Sequence, residues 1–219
     1  MRPALLVWTV LLLATATVAR GQLNVDLVVR KVQARYDATR DFTADLTQEM
    51  TVASLGKTVA SHGTIAFKKP GRFRLELTDE AAQTVVADGV TLWLYQPAEN
   101  QVLKAPFDAA FRSSTPISFL TGVGRIATDF EPSLDGEDPA SNVVYLKLVP
   151  RRAAGDVGML RLAVDRDDFD IRGADIQDPL GNVSRLRFDR LRRNTGIPDD
   201  RFAFRVPPGV DVINAPTTQ

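Results

Sequence analysis

Nucleophilic and metal chemistry in proteins begins with cysteine and histidine. The 219-residue sequence has no cysteine and one histidine, His62. Thiol catalysis, thiolate metal sites and disulfides are therefore excluded. A lone imidazole makes no His-rich metal site, and no serine nearby has an evident base partner. A structural histidine is the expectation, with no catalytic residue, no metal and no cofactor. Carboxylates such as Glu49 and Glu76 could in principle pair as acid and base, but their spacing selects no pair. The run Asp165 to Asp170, "DRDDFD", is dense in carboxylates. A calcium loop demands glycine at its sixth position and glutamate at its twelfth. Asp170 and Ile176 stand there, so the run predicts a charged turn between strands. "GVGRIA", Gly122 to Ala127, matches a dinucleotide fingerprint in letters only. That fingerprint needs a strand before it and a long helix after it. Here the flanks are a Pro-initiated turn and Glu131-Pro132, so a glycine break between short helices is expected. Asn182-Val183-Ser184 fits a glycosylation sequon and reads as turn chemistry.

The remaining chemistry is that of grease and one misplaced cation. In "FKKPGRFRLEL", Phe67 to Leu77, two strand-like runs meet at Pro70-Gly71. Side chains alternate along a strand. Ile65, Phe67 and Lys69 thus share one face of the first run, and Phe73, Leu75 and Leu77 share one face of the second. An unpaired ammonium on an apolar face is costly. Lys69 therefore requires acceptors, and the free carbonyls at the C-terminus of a short helix are suited to the task.

The elements that must position these residues follow from periodicity. Val25 to Ala38 has helical spacing, with Asn24 as N-cap. From Asp41 the period is two, through "LGK", "KPG" and a strong hairpin signal at Asp88-Gly89. The segment 106–130 breaks this rhythm. Thr115-Pro116 is a cap and first-turn pair, and Phe107, Phe111, Ile117, Phe119, Leu120 and Ile126 make it greasy. Strands resume with "NVVYLKLV", "GMLRLAVD", "VSRLRFDRL" and "FAFRVPPGVDVI". The expected fold is mostly β: an antiparallel sheet of about ten or eleven strands with a leading helix and a short-helix insertion. A sheet that large curls into a barrel or splits, and the two helical pieces are the only cover for its greasy face. The apolar set Ile65, Phe67, Phe73, Leu75 and Leu77, with the insertion's Phe107, Phe111, Ile117, Phe119 and Leu120, predicts a pocket for acyl chains.

Residues 1–21 have the form of a cleaved export signal: a charged start, the apolar run "ALLVWTVLLLA", and Ala19-Arg20-Gly21. Its removal would leave 25 basic residues against 27 acidic ones, a balance that excludes a nucleic-acid footprint or a polybasic membrane anchor. Residues 22–219 are expected to form one exported domain, a monomer. Without cysteine the chain cannot carry the lipid of a bacterial lipoprotein.

The stretches "DFTADLTQ", "GTIAFKKPGRFRLEL", "VVADGVTLWLYQPAENQV", "DPLGNVSRLRFD" and "FAFRVPPGVDVI", in this order, resemble the LolA family of periplasmic outer-membrane lipoprotein carriers. The resemblance implies an unclosed β-barrel with a helical lid and no catalysis. Its cavity would take lipoprotein acyl chains from an inner-membrane lipoprotein-releasing ABC transporter and pass them to an outer-membrane lipoprotein receptor. It further implies that the segment of about 106–130 is that lid, and that Lys69, where the family usually has arginine, latches it through the lid's backbone carbonyls. An ammonium lacks the guanidinium fork, so that latch is expected to be looser. Phe73 and Leu75 fall on the family's apolar lining, the latter often a larger aromatic. The receptor of that pathway shares the fold but is lipid-anchored, which the missing cysteine disfavours. A lipid-sensing regulator, a carrier of another lipid and a lipid-barrel hydrolase are the alternatives. Sensors of this kind usually have a second domain, and a hydrolase needs a nucleophile–base pair.

Overall fold

The computed structural model describes residues 23–79, 82–107, 125–151 and 157–215. Helix α1 (Val25–Asp37) leads into a meander of β1 (Asp41–Val52), β2 (Lys57–Lys68), β3 (Arg72–Leu77), β4 (Gln83–Asp88), β5 (Thr91–Gln96) and β6 (Gln101–Pro106). A one-turn helix α2 (Ile126–Asp129) opens a second meander of β7 (Phe130–Asp138), β8 (Val143–Pro150), β9 (Met159–Asp165), β10 (Ile171–Gln177) and β11 (Val183–Arg193). A last strand, β12 (Asp211–Asn214), follows. All twelve form one sheet in the order β12-β6-β5-β4-β3-β2-β1-β11-β10-β9-β8-β7. The two meanders are joined where β1 pairs antiparallel with β11, placing Leu46 opposite Phe188. β12 and β7 are the two edges, so the sheet is open.

Local chemistry explains the punctuation. The Asn24 side chain accepts from the Leu27 N–H at 2.7 Å, the capping bond expected of asparagine before a helix. At the β4–β5 hairpin the Asp88 carboxylate accepts from the N–H groups of Val90 and Thr91, both at 2.8 Å. Gly89 there has φ 98°, a value that favours glycine.

The inner face of the sheet is apolar and holds two cores. On the β7–β10 half, Val28, Val29 and Val32 of α1 pack with Ile126, Phe130, Leu146, Leu148 and Leu162. Gln33 of α1 accepts from the Ile126 N–H at 3.1 Å and so ties α2 beneath the helix. On the other half Ala44, Leu46, Ile65, Phe73, Leu77, Phe107 and Phe188 form a second core. The outer face is crossed by residues 194–210. Ile197 and Phe202 bury against Ala66, and Phe204 meets the rings of Trp93 and Tyr95. The Asn100 amide then donates to Gly209 O at 2.8 Å and delivers the chain to the far edge.

Three details differ from the sequence expectation. The described residues form twelve strands, against the expected ten or eleven. Phe130, assigned to the insertion, begins β7, which Pro132 and Gly136 disguised. Proline is tolerated there because β7 is an edge. The final strand begins at Asp211, not at "FAF", and pairs parallel with β6, Val212 lying opposite Val102. The expected export signal and most of the insertion, including Phe111, Ile117, Phe119 and Leu120, lie outside the described residues.

Candidate functional site

The strip expected from alternation is assembled by strand register. Phe67 lies opposite Phe73, Ile65 opposite Leu75 and Gly63 opposite Leu77. The same face continues through Val85 and Ala87 of β4 to Leu94 and Leu92 of β5. On the other side it runs through Phe42 and Ala44 of β1 to Phe188 of β11. Ile65, Phe67, Phe73 and Leu77 are buried and Leu75 is half-buried. Phe107, at the start of the insertion, is also buried, its ring against Gly71. Its N–H donates to Val90 O at 2.8 Å, which fixes the chain as it leaves β6.

This strip ends in a crevice beneath the last turn of α1. Phe42, Phe67, Phe169, Phe188 and Leu191 line it, with Val32 and Tyr36 of the helix above. The Phe42 and Phe67 rings are 5.6 Å apart. The cavity itself is about 60 Å³; counted with space open to solvent, the crevice reaches about 540 Å³. The enclosed part has room for a few waters at most. As it stands, the enclosed part is too small for an acyl chain.

Lys69 stands at the rim. Its ammonium donates to Tyr36 O at 2.7 Å and to Asp37 O at 3.4 Å. It also lies 4.4 Å from the centroid of the Tyr36 ring. These are the last-turn carbonyls of a helix, where free acceptors and the negative dipole end coincide. Acceptors were expected on the insertion; among the described residues they belong to α1. Burial pulls the Lys69 ammonium below the ordinary lysine range, with the charge of Asp37 opposing. The neighbouring Lys68 goes to the outer face, donating to Ile197 O and to Asp199 at 2.6 Å each. Two adjacent lysines thus serve opposite faces, as the strand period requires.

Sequence reasoning missed a second tie. Asp170 is buried, 5% exposed, at the crevice edge. Its carboxylate accepts from Arg35 of α1 at 2.8 Å and pairs with Arg193 of β11 at 3.0 Å. The hydrogen bond to Asp170 raises the Arg35 guanidinium above its ordinary range. The "DRDDFD" run is a charged turn as expected, and Arg172 neutralises Asp165 and Asp168 within it. The signal available in sequence was a single arginine in the last turn of a helix that must lie on an apolar sheet. His62 is at the surface, its ring 2.9 Å from Asp79.

Known proteins show the family to which the chain is related. The family profile described as outer membrane lipoprotein carrier protein LolA matches residues 37–205. The outer-membrane lipoprotein carrier protein of Leptothrix cholodnii is 34% identical over 183 residues, covering 80% of this chain and 84% of its own. That of Chromobacterium violaceum is 29% identical over 214 residues, 98% and 99% of the two chains. An uncharacterized conserved protein from Thermus thermophilus shares the fold, with a TM-score of 0.55 at 14% identity, covering 87% of this chain and 98% of that one. With the profile spanning most of the sheet, one relative 34% identical over four-fifths of the chain and another aligned nearly end to end, this chain belongs to the LolA family of outer-membrane lipoprotein carrier proteins.

Proposed function

We propose that the chain is a periplasmic carrier that shields lipoprotein acyl chains between the inner and outer membranes. The observation that carries this reading is the apolar inner face that ends in a crevice beneath the last turn of α1. Acyl chains are a ligand such a surface can hold by burial alone, at about 25 cal/mol per Å², so the protein works by binding rather than by catalysis. Residues 1–21 direct export, and 22–219 act as one monomeric domain. Cargo comes from an ATP-driven releasing complex in the inner membrane and leaves to an outer-membrane receptor.

Lys69 supplies the energetics. A carrier must hold cargo firmly and yet surrender it without its own fuel. Closing α1 over the crevice through Lys69 makes opening costly, and apparent affinity falls with the fraction of open molecules. Ile65, Phe67, Phe73, Leu75, Leu77 and Phe107, and with them Phe111, Ile117, Phe119 and Leu120, contact acyl chains when the cover lifts. The decisive experiment incubates purified residues 22–219 with inner-membrane vesicles holding a model lipoprotein. Release of a soluble complex in an ATP-dependent manner is expected. Release of the same amount without the protein would end this reading.

A further inference from the structure

The outer face has a concavity of its own, about 510 Å³, between β1–β2 and the beginning of the crossing segment. Thr43, Asp45 and Thr64 form its floor; Arg190 and Arg192 stand on one wall and Arg201 on the other. A bulge makes this wall. Thr43 lies opposite Arg192 and Asp45 opposite Asp189, so β11 takes three steps where β1 takes two. Arg190 is the added residue, at φ 48°, in the left-handed region that few non-glycine residues adopt. The extra residue inverts the alternation beyond Phe188. Leu191 and Arg193 turn inward to the crevice, and Arg192 turns outward.

Of the three guanidinium groups, that of Arg190 is neutralised by Asp45. Those of Arg192 and Arg201 have no ion-pair partner among the described residues, and the hydroxyls of Thr43 and Thr64 make no hydrogen bond there. Two planar cations on opposite walls above two hydroxyl donors offer more donors than a single carboxylate can accept. A phosphoryl group presents enough oxygens to engage both forks and the floor. We propose that this cleft binds a phosphate mono- or diester, separately from the apolar inner face.

The test is calorimetric titration of the mature protein at low salt with glycerol 3-phosphate, beside sedimentation with phosphatidylglycerol and phosphatidylcholine vesicles. Saturable binding of the soluble ester is expected, weakened at least tenfold in the double variant R192Q/R201Q. R205Q, which removes an exposed arginine outside the cleft, should bind as the parent does. Vesicle binding limited to phosphatidylglycerol and lost in the same double variant identifies a lipid headgroup as the source. Binding of the soluble ester without vesicle binding identifies a free phosphate compound. Absence of saturable binding to both overturns the proposal. So does equal loss in R205Q, or a Glu-rich peptide binding where phosphate does not. All three residues are exposed, so unchanged urea midpoints check that folding is not the cause, and unchanged binding of a hydrophobic probe checks that the inner face is intact.

Discussion

Lys69 and Lys68 are chemically identical neighbours whose removal should have different consequences. Lys69→Leu deletes the bonds to the α1 carbonyls and leaves an apolar side chain at the crevice rim. The closed state should lose about 1 kcal/mol, the net value of such a bond at a half-buried site. Hydrophobic probe binding should then tighten roughly fivefold and transfer of the probe to acceptor lipid vesicles should slow. Lys68→Leu loosens the outer crossing and should leave retention and transfer unchanged. Equal behaviour of the two variants in a retention and transfer assay would remove the latch. Carboxylate insertion on the apolar strip separates binding from stability. Phe73 is only 3% exposed, so Phe73→Glu buries a charge and should cost several kcal/mol of folding along with binding. Leu75 is half-buried. Leu75→Glu should abolish probe binding, seen by displacement with a triacylated peptide, while the far-ultraviolet spectrum stays native. The positions of these side chains were legible in the sequence, because period two and the Pro70-Gly71 turn fix which face each takes. The acceptors of Lys69 were not, since they lie over thirty residues away and depend on where α1 docks.

At the scale of elements, α1 and the outer crossing are held by different forces. The helix rests on valines plus Lys69 and the Arg35–Asp170–Arg193 cluster. Asp170→Asn removes the charge that two arginines share, and should increase amide exchange in the last turn of α1 by roughly tenfold or more while β1 and β2 exchange as before. Equal exchange in the helix would show that this cluster does not hold it. The crossing is pinned at its start by the Asp41 carboxylate, which accepts from the N–H groups of Thr195 and Gly196 at 2.8 and 3.1 Å, and next by Asp199. The hydrogen bond from Lys68, and then the charge of Arg72, keep the Asp199 carboxyl below the usual aspartate range. A depressed folded pKa stabilises the folded state above the unfolded value, near about 3.9, and that contribution disappears as pH falls through the folded value. Proteolysis within 194–210 should therefore accelerate below about pH 4 in the parent, and Asp199→Asn should cleave faster at pH 7 and show less acid dependence. The crossing itself was invisible to pattern reading. "FAFRV" alternates like a strand, yet its Phe204 ring packs on a finished sheet instead of its backbone pairing with a neighbour.

For the whole molecule, the sequence disclosed fold class, the leading helix with its Asn24 cap and most hairpins, all of them local signals. It concealed β7 and the parallel pairing of β12, because edge strands need neither pure alternation nor a good β former at every position. The joint between meanders has a kinetic corollary. Nearly every strand pairs with its sequence neighbour, so most contacts form by closing short loops. β1 and β11 must instead find one another across 136 residues, as at Gln48 and Ser184. Loop-closure entropy grows with the logarithm of that separation and precedes the contacts that offset it. The zipping of β1 to β11 should therefore set the folding rate. Leu46→Ala at the joint and Leu162→Ala within the second meander both empty a buried site, at about 2–5 kcal/mol each. In stopped-flow refolding, Leu46→Ala should chiefly slow folding and Leu162→Ala chiefly speed unfolding. A newly exported chain would then pass through a stage with two formed half-sheets and two unsatisfied strand edges. Until they meet, it is itself an aggregation-prone client.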